Sequence, residues 1–374
     1  MIKAWLRKNI QSTQDKKVLL SIFIAFVSRL FSILRLQQVS YVFGVSAKAD
    51  FFLIVFQFCW FVESVLIDSS ILPILISNLY KVNQREGYKK SIELFFHAFK
   101  ISLIISTIVS ALLLFFPELL ITIVTPDLSL DSKIVLFKWV RLASPIPILL
   151  TTATLIAFIN RLNFNGLWYN LNKFIANLFL YFALFIGIKI GNVDFTAQFT
   201  IVSFSACLLI TSFLQFRVLD KSTKDILIGE MKYNFGRNII KQTKYFKDFW
   251  QAVLVLVLTS FVNELFVYTD IFFSSKISPG SYTLLTFSSR LCIASLGIVI
   301  LSCFTILEPL WAKLIVERGE HLWAKVVRED TLFMLSILCI PISLIFLYFY
   351  QFEILLFLIR NNVDTSFISN VIDI

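Results

Sequence analysis

Nine long apolar stretches constrain the fold of this chain more than any other feature. They occupy residues 18–43, 50–77, 92–116, 134–159, 168–190, 195–216, 247–273, 281–311 and 329–350. Each is near or above the roughly 20 residues that a helix needs to cross a ~30 Å hydrocarbon core. Only 16% of the 374 residues are charged and the mean hydropathy is +0.82, whereas soluble domains carry roughly 25% charged residues. The sequence therefore predicts an all-α polytopic membrane protein.

Basic residues are concentrated in every second loop, starting with the N-terminus. The first 17 residues hold five lysines and arginines, and the connection 217–246 between the sixth and seventh stretches is also strongly basic. The intervening loops are poor in basic residues and contain Glu118, Asp127, Asp131 and Asp194. By the positive-inside rule, the N-terminus is predicted to lie in the cytoplasm. The net charge of +10 then reflects loops that face an anionic leaflet, and no nucleic-acid partner is expected.

The basic connection also divides the chain into two groups of helices. We expect a cytoplasmic N-terminal segment at 1–17, a first six-helix lobe at 18–216, a basic cytoplasmic linker at 217–246 and a partial second lobe of about three helices at 247–374. Two helical lobes joined by a cytoplasmic connection are typical of transporters. No nucleophile–base arrangement, metal-ligand cluster or glycine-rich phosphate loop is found, so neither an enzyme nor a metal or cofactor site is predicted.

Arginines occur inside the apolar stretches, where a charge at the bilayer centre costs about 2.5–3.5 kcal/mol. At 1.5 Å per residue, Arg29 lies about 16 Å along the first span and Arg290 about 14 Å along the eighth, which enters from the opposite face. The two are thus predicted at similar depth, in different lobes. Arg35 follows Arg29 by six residues, so the two side chains point about 120° apart on a helix.

Acidic residues within the spans offer partners for these arginines. They are Asp50, Glu63, Asp68, Glu264 and Asp270. Two interpretations remain open: the charges pair structurally, Arg35 with Asp50 and Arg29 with Glu63, or the arginines line a wet central cavity and bind an anion. The planar guanidinium suits phosphate because it donates two parallel hydrogen bonds. In the same span, Pro73 lacks a backbone donor and predicts a break or kink near 68–73.

Three segments carry a family resemblance. "SRLFSILRLQQVSYVFGVSAKADFFLIVFQ" (28–57) resembles the first two helices of the MurJ/MviN lipid II flippases, members of the multidrug/oligosaccharidyl-lipid/polysaccharide exporter superfamily. "FPELLITIVTP" (116–126) resembles the outer amphipathic segment of that family, and "DIFFSSKISPGSYTLLTFSSRL" (270–291) resembles its connection between helices seven and eight. The resemblance covers most of residues 18–362.

The resemblance implies a two-lobed, MurJ-like helical transporter with an incomplete second lobe, in the bacterial cytoplasmic membrane. It implies alternating access that moves undecaprenyl-pyrophosphate-linked saccharides, either lipid II or a polysaccharide repeat unit. Arg29, Arg35 and Arg290 would bind the substrate and Asp50 would gate the outer face. Glu63, Glu264 and Asp270 are further candidates for gating or ion pairing. Whether transport is coupled to the membrane potential or to a cation gradient stays open. Membrane lipids are expected partners, and contacts with glycan-assembly proteins also stay open.

Glu63 and Ser64 depart from the family pattern, because the lipid II flippases have a cavity arginine here. The second lobe is also predicted to be short. An alternative is therefore a truncated or degenerate, non-transporting relative that acts as a membrane component of a glycan-assembly complex. A third is a drug or cation exporter of the same superfamily, which acidic cavity residues would favour.

Overall fold

The protein is described by a computed structural model that covers residues 13–162, 166–234 and 244–289, and these residues form helices and no strand. The helices are α1 (Thr13–Phe43), α2 (Ala47–Val62), a π-helical segment (Glu63–Ile71), α3 (Leu72–Glu86), α4 (Tyr88–Phe115), α5 (Pro117–Val124), α6 (Leu130–Ala143), α7 (Ile146–Leu162), α8 (Gly166–Ile190), α9 (Val193–Val218), α10 (Lys221–Asn234) and α11 (Lys244–Ile277). A further helix occupies 281–289 at the end of the described part. The predicted all-α class is confirmed.

Six stretches of the described residues are long and apolar enough to cross a membrane. They are Ala47–Glu86, Tyr88–Phe115, Leu130–Asn160, Tyr169–Ile190, Val193–Val218 and Lys247–Ile277. They match the predicted second to seventh spans. Helix α1, the predicted first span, has 31 residues, which is about 46 Å at 1.5 Å per residue. Most of the predicted eighth span and all of the ninth lie outside the described residues.

The second span is one continuous helix, Ala47–Glu86, so of the break or kink predicted near Pro73 the break does not occur. Instead of breaking, the helix widens into the π-helical segment just before the proline. The Leu72 amide there reaches back to the carbonyl of Ile67, five residues earlier. The hydroxyl of Ser70 donates to the carbonyl of Val65 at 2.6 Å. A π-turn of this kind absorbs a local mismatch in an α-helix and is common at functional sites.

Two buried apolar clusters hold the helices together. The first joins the end of α1 and helix α2 to α6, α7, α8 and α9, around the fully buried Trp139. The second joins the π-helical segment, α3, α4 and α7 to α11, around Phe95, Phe158 and Phe249. Because Phe249 belongs to α11, the second lobe packs directly on the first.

The predicted basic linker contains an ordered helix, α10. Leu227 of this helix is buried in the second apolar cluster. At the start of α4, the hydroxyl of Tyr88 lies 2.6 Å from that of Thr223 in α10. These contacts fix part of the linker against the first lobe.

Candidate functional site

Helix α2 begins at the predicted outer face with a buried carboxylate. The Ser46 hydroxyl caps the helix by accepting a hydrogen bond from the Ala49 amide at 3.4 Å. Asp50 follows in the first turn and is only 7% exposed. Its Oδ2 accepts from the amide of Gly280 at 2.7 Å. Its Oδ1 accepts from the amide and the hydroxyl of Thr283 at 2.7 and 2.6 Å. A carboxylate of α2 thus caps the start of the helix at 281–289.

Gly280 allows the two lobes to approach at this point. Its φ of 91° lies in the left-handed region that favours glycine. A Cβ here would lie 2.5 Å from Cγ1 and 2.8 Å from the carbonyl carbon of Val45. We call the contact of Asp50 and Val45 with Gly280 and Thr283 the outer seam.

The contact between the lobes continues inward along α2 and α11. The side-chain amide of Gln57 donates to Oε2 of Glu264 at 2.8 Å. The Tyr268 ring stacks on Phe58 with centroids 5.6 Å apart and lies 6.1 Å from Phe61. Glu264, a predicted gating or pairing residue, is therefore bound across the lobes. Asp270, the next predicted one, is exposed on α11, where its backbone carbonyl accepts from Ser274.

Four charged residues from three helices come together beside the π-helical segment of the second span. They are Arg29 of α1, Glu63 and Asp68 of the π-helical segment, and Lys173 of α8. We call this group the inner charge cluster. Lys173 forms an ion pair with Asp68, with Nζ 2.9 Å from Oδ2. The hydroxyl of Thr154 donates to Oε1 of Glu63 at 2.7 Å. Arg29 is half-buried and interacts electrostatically with Asp68 and Tyr169.

The π-helical geometry explains why both acids belong to one cluster. Residues five apart on an α-helix point about 140° away from each other. In a π-helix the backbone bonds to the fifth residue, so positions i and i+5 return towards the same side. Glu63 and Asp68 therefore interact with each other and with the same Lys173.

Arg35 occupies a different environment from Arg29, in agreement with their predicted angular separation. Its side chain is 9% exposed and Nη1 donates to Oδ1 of Asn177 at 3.0 Å. The guanidinium carbon lies 5.0 Å from the centroid of the Trp60 ring. Asn177 in turn donates to the carbonyl of Ser28 at 3.3 Å. In this state Arg35 joins α1, α2 and α8 inside the first lobe, and its role in substrate binding stays a prediction.

The structure differs from both expected arginine pairings. Arg35 contacts Asn177 and Trp60, while the carboxylate of Asp50 is used by the second lobe. The acid that interacts with Arg29 is Asp68, not Glu63. Arg290, the predicted cavity arginine of the second lobe, lies outside the described residues.

Sequence reasoning missed Lys173, although a signal was present. This lysine stands inside the apolar stretch 168–190, where a charge is as costly as the arginines that were singled out. The partners Asn177 and Thr283 gave no such signal, because an amide and a hydroxyl are common in helices of membrane proteins.

The fold is that of a two-lobed helical membrane transporter. The model of the lipid II flippase MurJ family matches residues 39–364, so the chain belongs to this family. Its members are multi-pass membrane proteins that transport lipid II.

Solved structures share this fold at low sequence identity. The structure of lipid II flippase MurJ in an inward closed conformation matches with a TM-score of 0.50 and 20% identity, over 80% of this chain and 63% of that chain. A MOP superfamily transporter from Pyrococcus furiosus matches with a TM-score of 0.54 and 13% identity, over 90% of this chain and 75% of that one. It is described with the statement that the reverse polarity of its binding pocket suggests a different function. A comparison with curated proteins found no match.

Proposed function

We propose that this protein translocates an undecaprenyl-pyrophosphate-linked saccharide, either lipid II or a polysaccharide repeat unit, across the bacterial cytoplasmic membrane by alternating access. The observation that carries the proposal is a closed outer seam together with a partly exposed charge cluster inside the first lobe. The outer seam is closed by three hydrogen bonds to one buried carboxylate. The paired side chains of Lys173 and Asp68 keep 41% and 35% of their surface exposed. A transporter closed on one side and open to its charged interior is one state of such a cycle.

The outer seam suits a reversible closure. Asp50 accepts its hydrogen bonds from a helix start, where the amides carry partial positive charge. When the lobes separate, water can replace each of these bonds, so the net free energy of closing stays modest. Opening therefore needs no covalent step, although it must also move Ile271 and Tyr282, which belong to the first apolar cluster.

The arginines supply the affinity for the substrate. Arg29 of α1 belongs to the inner charge cluster, and Arg290 is predicted at similar depth on the facing lobe. Two guanidinium groups that converge on a diphosphate can each donate paired hydrogen bonds to its oxygens. With the N-terminus in the cytoplasm, the closed outer seam leaves loading from the cytoplasmic side.

The membrane potential can drive this transport outward. Each elementary charge that crosses the field is worth about 2.3 kcal/mol per 100 mV. A diphosphate carries negative charge from a negative interior to the outside, which is downhill. Collapse of the membrane potential should therefore slow translocation, and a sodium or proton gradient alone should not restore the rate. Restoration by one of these gradients would indicate coupling to that cation instead.

The test is translocation of a fluorescent undecaprenyl-pyrophosphate saccharide in proteoliposomes, read by the fraction of label that an impermeant quencher reaches. Arg29→Ala and Arg290→Ala should each slow translocation by about tenfold or more, since each removes a charge-assisted contact. Arg141→Ala is the control, because Arg141 is half-exposed and pairs with Glu118 at 3.1 Å on the first lobe. Wild-type rates in both cavity variants would refute the cationic cavity.

A second candidate is export of a cationic or zwitterionic molecule. It is favoured by Glu63, which stands where lipid II flippases have an arginine, and by Asp68 nearby. The reverse pocket polarity stated for the Pyrococcus furiosus transporter offers a parallel on the same fold. The same vesicles loaded with a fluorescent cation distinguish the two candidates. Vesicles that move neither substrate would point to the non-transporting relative.

A further inference from the structure

The ion pair between Lys173 and Asp68 joins two helices at the inner charge cluster. Lys173 belongs to α8 and Asp68 to the π-helical segment, and both side chains are partly exposed. Charged side chains within membrane spans face the bundle interior or a water-filled cavity. The exposed sides of this pair therefore face space that a polar ligand can enter.

Asp68 is held by only one of its two oxygens. Oδ2 contacts Lys173, whereas Oδ1 is buried and has no hydrogen-bond partner among the described residues. An ionised carboxylate has sites for about four hydrogen bonds, and an unsatisfied buried oxygen is unfavourable. Glu63 adds repulsion to the same acid. Attraction to cations is what keeps Asp68 in place.

Two cations act on this single carboxylate. Lys173 contacts it directly and Arg29 attracts it at longer range. The ammonium of Lys173 also lies 5.4 Å from the centroid of the Tyr169 ring, a cation–π contact that holds it independently of Asp68. If Asp68 moves away, Lys173 and Arg29 lose the carboxylate that they share, and Glu63 is the acid that remains beside Lys173.

Resting on the proposed function, we propose that Lys173 and Arg29 form a binding subsite for the substrate's diphosphate, and that Asp68 occupies this subsite as an internal counter-ion when the substrate is absent. A diphosphate brings at least two negative charges where Asp68 brings one, so it displaces the carboxylate. The internal counter-ion avoids leaving unpaired cations in the empty cavity, which would be costly. Lys173 also restores a cationic group to a cavity in which Glu63 replaces an arginine.

The experiment measures binding of farnesyl pyrophosphate and farnesyl monophosphate to the full-length protein in nanodiscs by calorimetry. Lys173→Gln should weaken diphosphate binding by about tenfold, and Asp68→Asn should tighten it several-fold because the competing charge is gone. The monophosphate should respond less to both. Inorganic pyrophosphate serves as a further probe: comparable affinity would assign the site to free diphosphate rather than to its lipid ester.

A second lysine–aspartate pair provides the matched control. Lys48 and Asp194 contact each other at 3.1 Å with similar exposure, 44% and 40%, but lie at the predicted outer face. Lys48→Gln and Asp194→Asn should leave diphosphate affinity unchanged. Lys173→Arg keeps the positive charge and donors for phosphate, so it should bind the diphosphate more tightly than Lys173→Gln, whereas a loss caused only by misfolding would weaken both variants alike.

The subsite is overturned if Asp68→Asn weakens diphosphate binding as Lys173→Gln does, or if neither variant changes it. Either result would make the pair a structural ion pair. The outcome is separable from the proposed function. If the wild type translocates the substrate but Lys173→Gln keeps its diphosphate affinity, only the subsite is refuted. If diphosphate binding depends on Lys173 but the wild type does not translocate the substrate, only the flippase function is refuted.

Discussion

Replacement of Asp50 by alanine should shift the protein away from its outer-closed state. The carboxylate is 7% exposed and accepts three hydrogen bonds of 2.6–2.7 Å from Gly280 and Thr283. Truncating one partner of a buried, hydrogen-bonded charged contact costs about 2–5 kcal/mol. This cost falls on the closed state alone, because water satisfies the same groups once the lobes separate. Even the lower value moves the closed-to-open equilibrium by about 30-fold.

The assay is a distance distribution between two spin labels in nanodiscs. Leu119 on α5 and Ile277 at the end of α11 are 59% and 76% exposed, so labels there should not disturb packing. The labelling cysteines are introduced into a variant in which the five native cysteines are replaced. Asp50→Ala should move most of the population to longer distances across the outer seam.

Asp194→Asn is the matched control for this experiment. Asp194 is also an aspartate at the predicted outer face, but its side chain is 40% exposed and pairs with Lys48 within the first lobe. Surface ion pairs contribute about 0–1 kcal/mol, which is a shift of about fivefold at most. The reasoning fails if Asp50→Ala keeps the wild-type distribution, or if Asp194→Asn changes it equally.

Two further predictions concern the outer seam and the first lobe. Gly280→Ala should destabilise the closed state by roughly 1–3 kcal/mol, since its Cβ would lie 2.5 Å from Val45. The same pair of spin labels should then report a larger population at long distance. Gly87→Ala is its control, with φ of 90° but open space around the Cβ, and an effect on the distance there would contradict the steric argument. Trp60→Ala should lower the free energy of unfolding in detergent by about 2–3 kcal/mol, because it removes a partly buried ring that contacts Arg35. Trp60→Phe should lose less than about 1.5 kcal/mol; equal losses would show that the ring contact contributes nothing.

Much of the fold was predictable because the membrane imposes strong rules on sequence. A helix is one of the few structures that satisfy the backbone in lipid, so long apolar stretches identify spans two to seven. Their ends agree within about four residues, except that the second span extends beyond 77 to Glu86. The short amphipathic helix Pro117–Val124 was also evident from its composition and its proline start. The helix α10 within the basic linker could not be predicted, because it depends on contacts with α4.

The candidate site was only partly predictable. Depth along a helix follows from residue number, so the sequence predicts Arg29 near the centre and Asp50 near the outer end of the membrane. Their partners could not be identified, since Asp50 bonds to residues 230 and 233 positions later in the chain. Charge alone suggested pairing with Arg35, but a helix start supplied better donors.

The sequence by itself determined the apolar spans and which charges had to be buried in them, because the solvation cost of each residue depends on its own chemistry. The tertiary structure alone decided which charges meet. Glu63 and Asp68 are five positions apart, and only the π-helical turn before Pro73 brings both towards Lys173. Pairing depends on the angle of each side chain about its helix and on the neighbour that packs against it, and neither is encoded in the spacing along the chain.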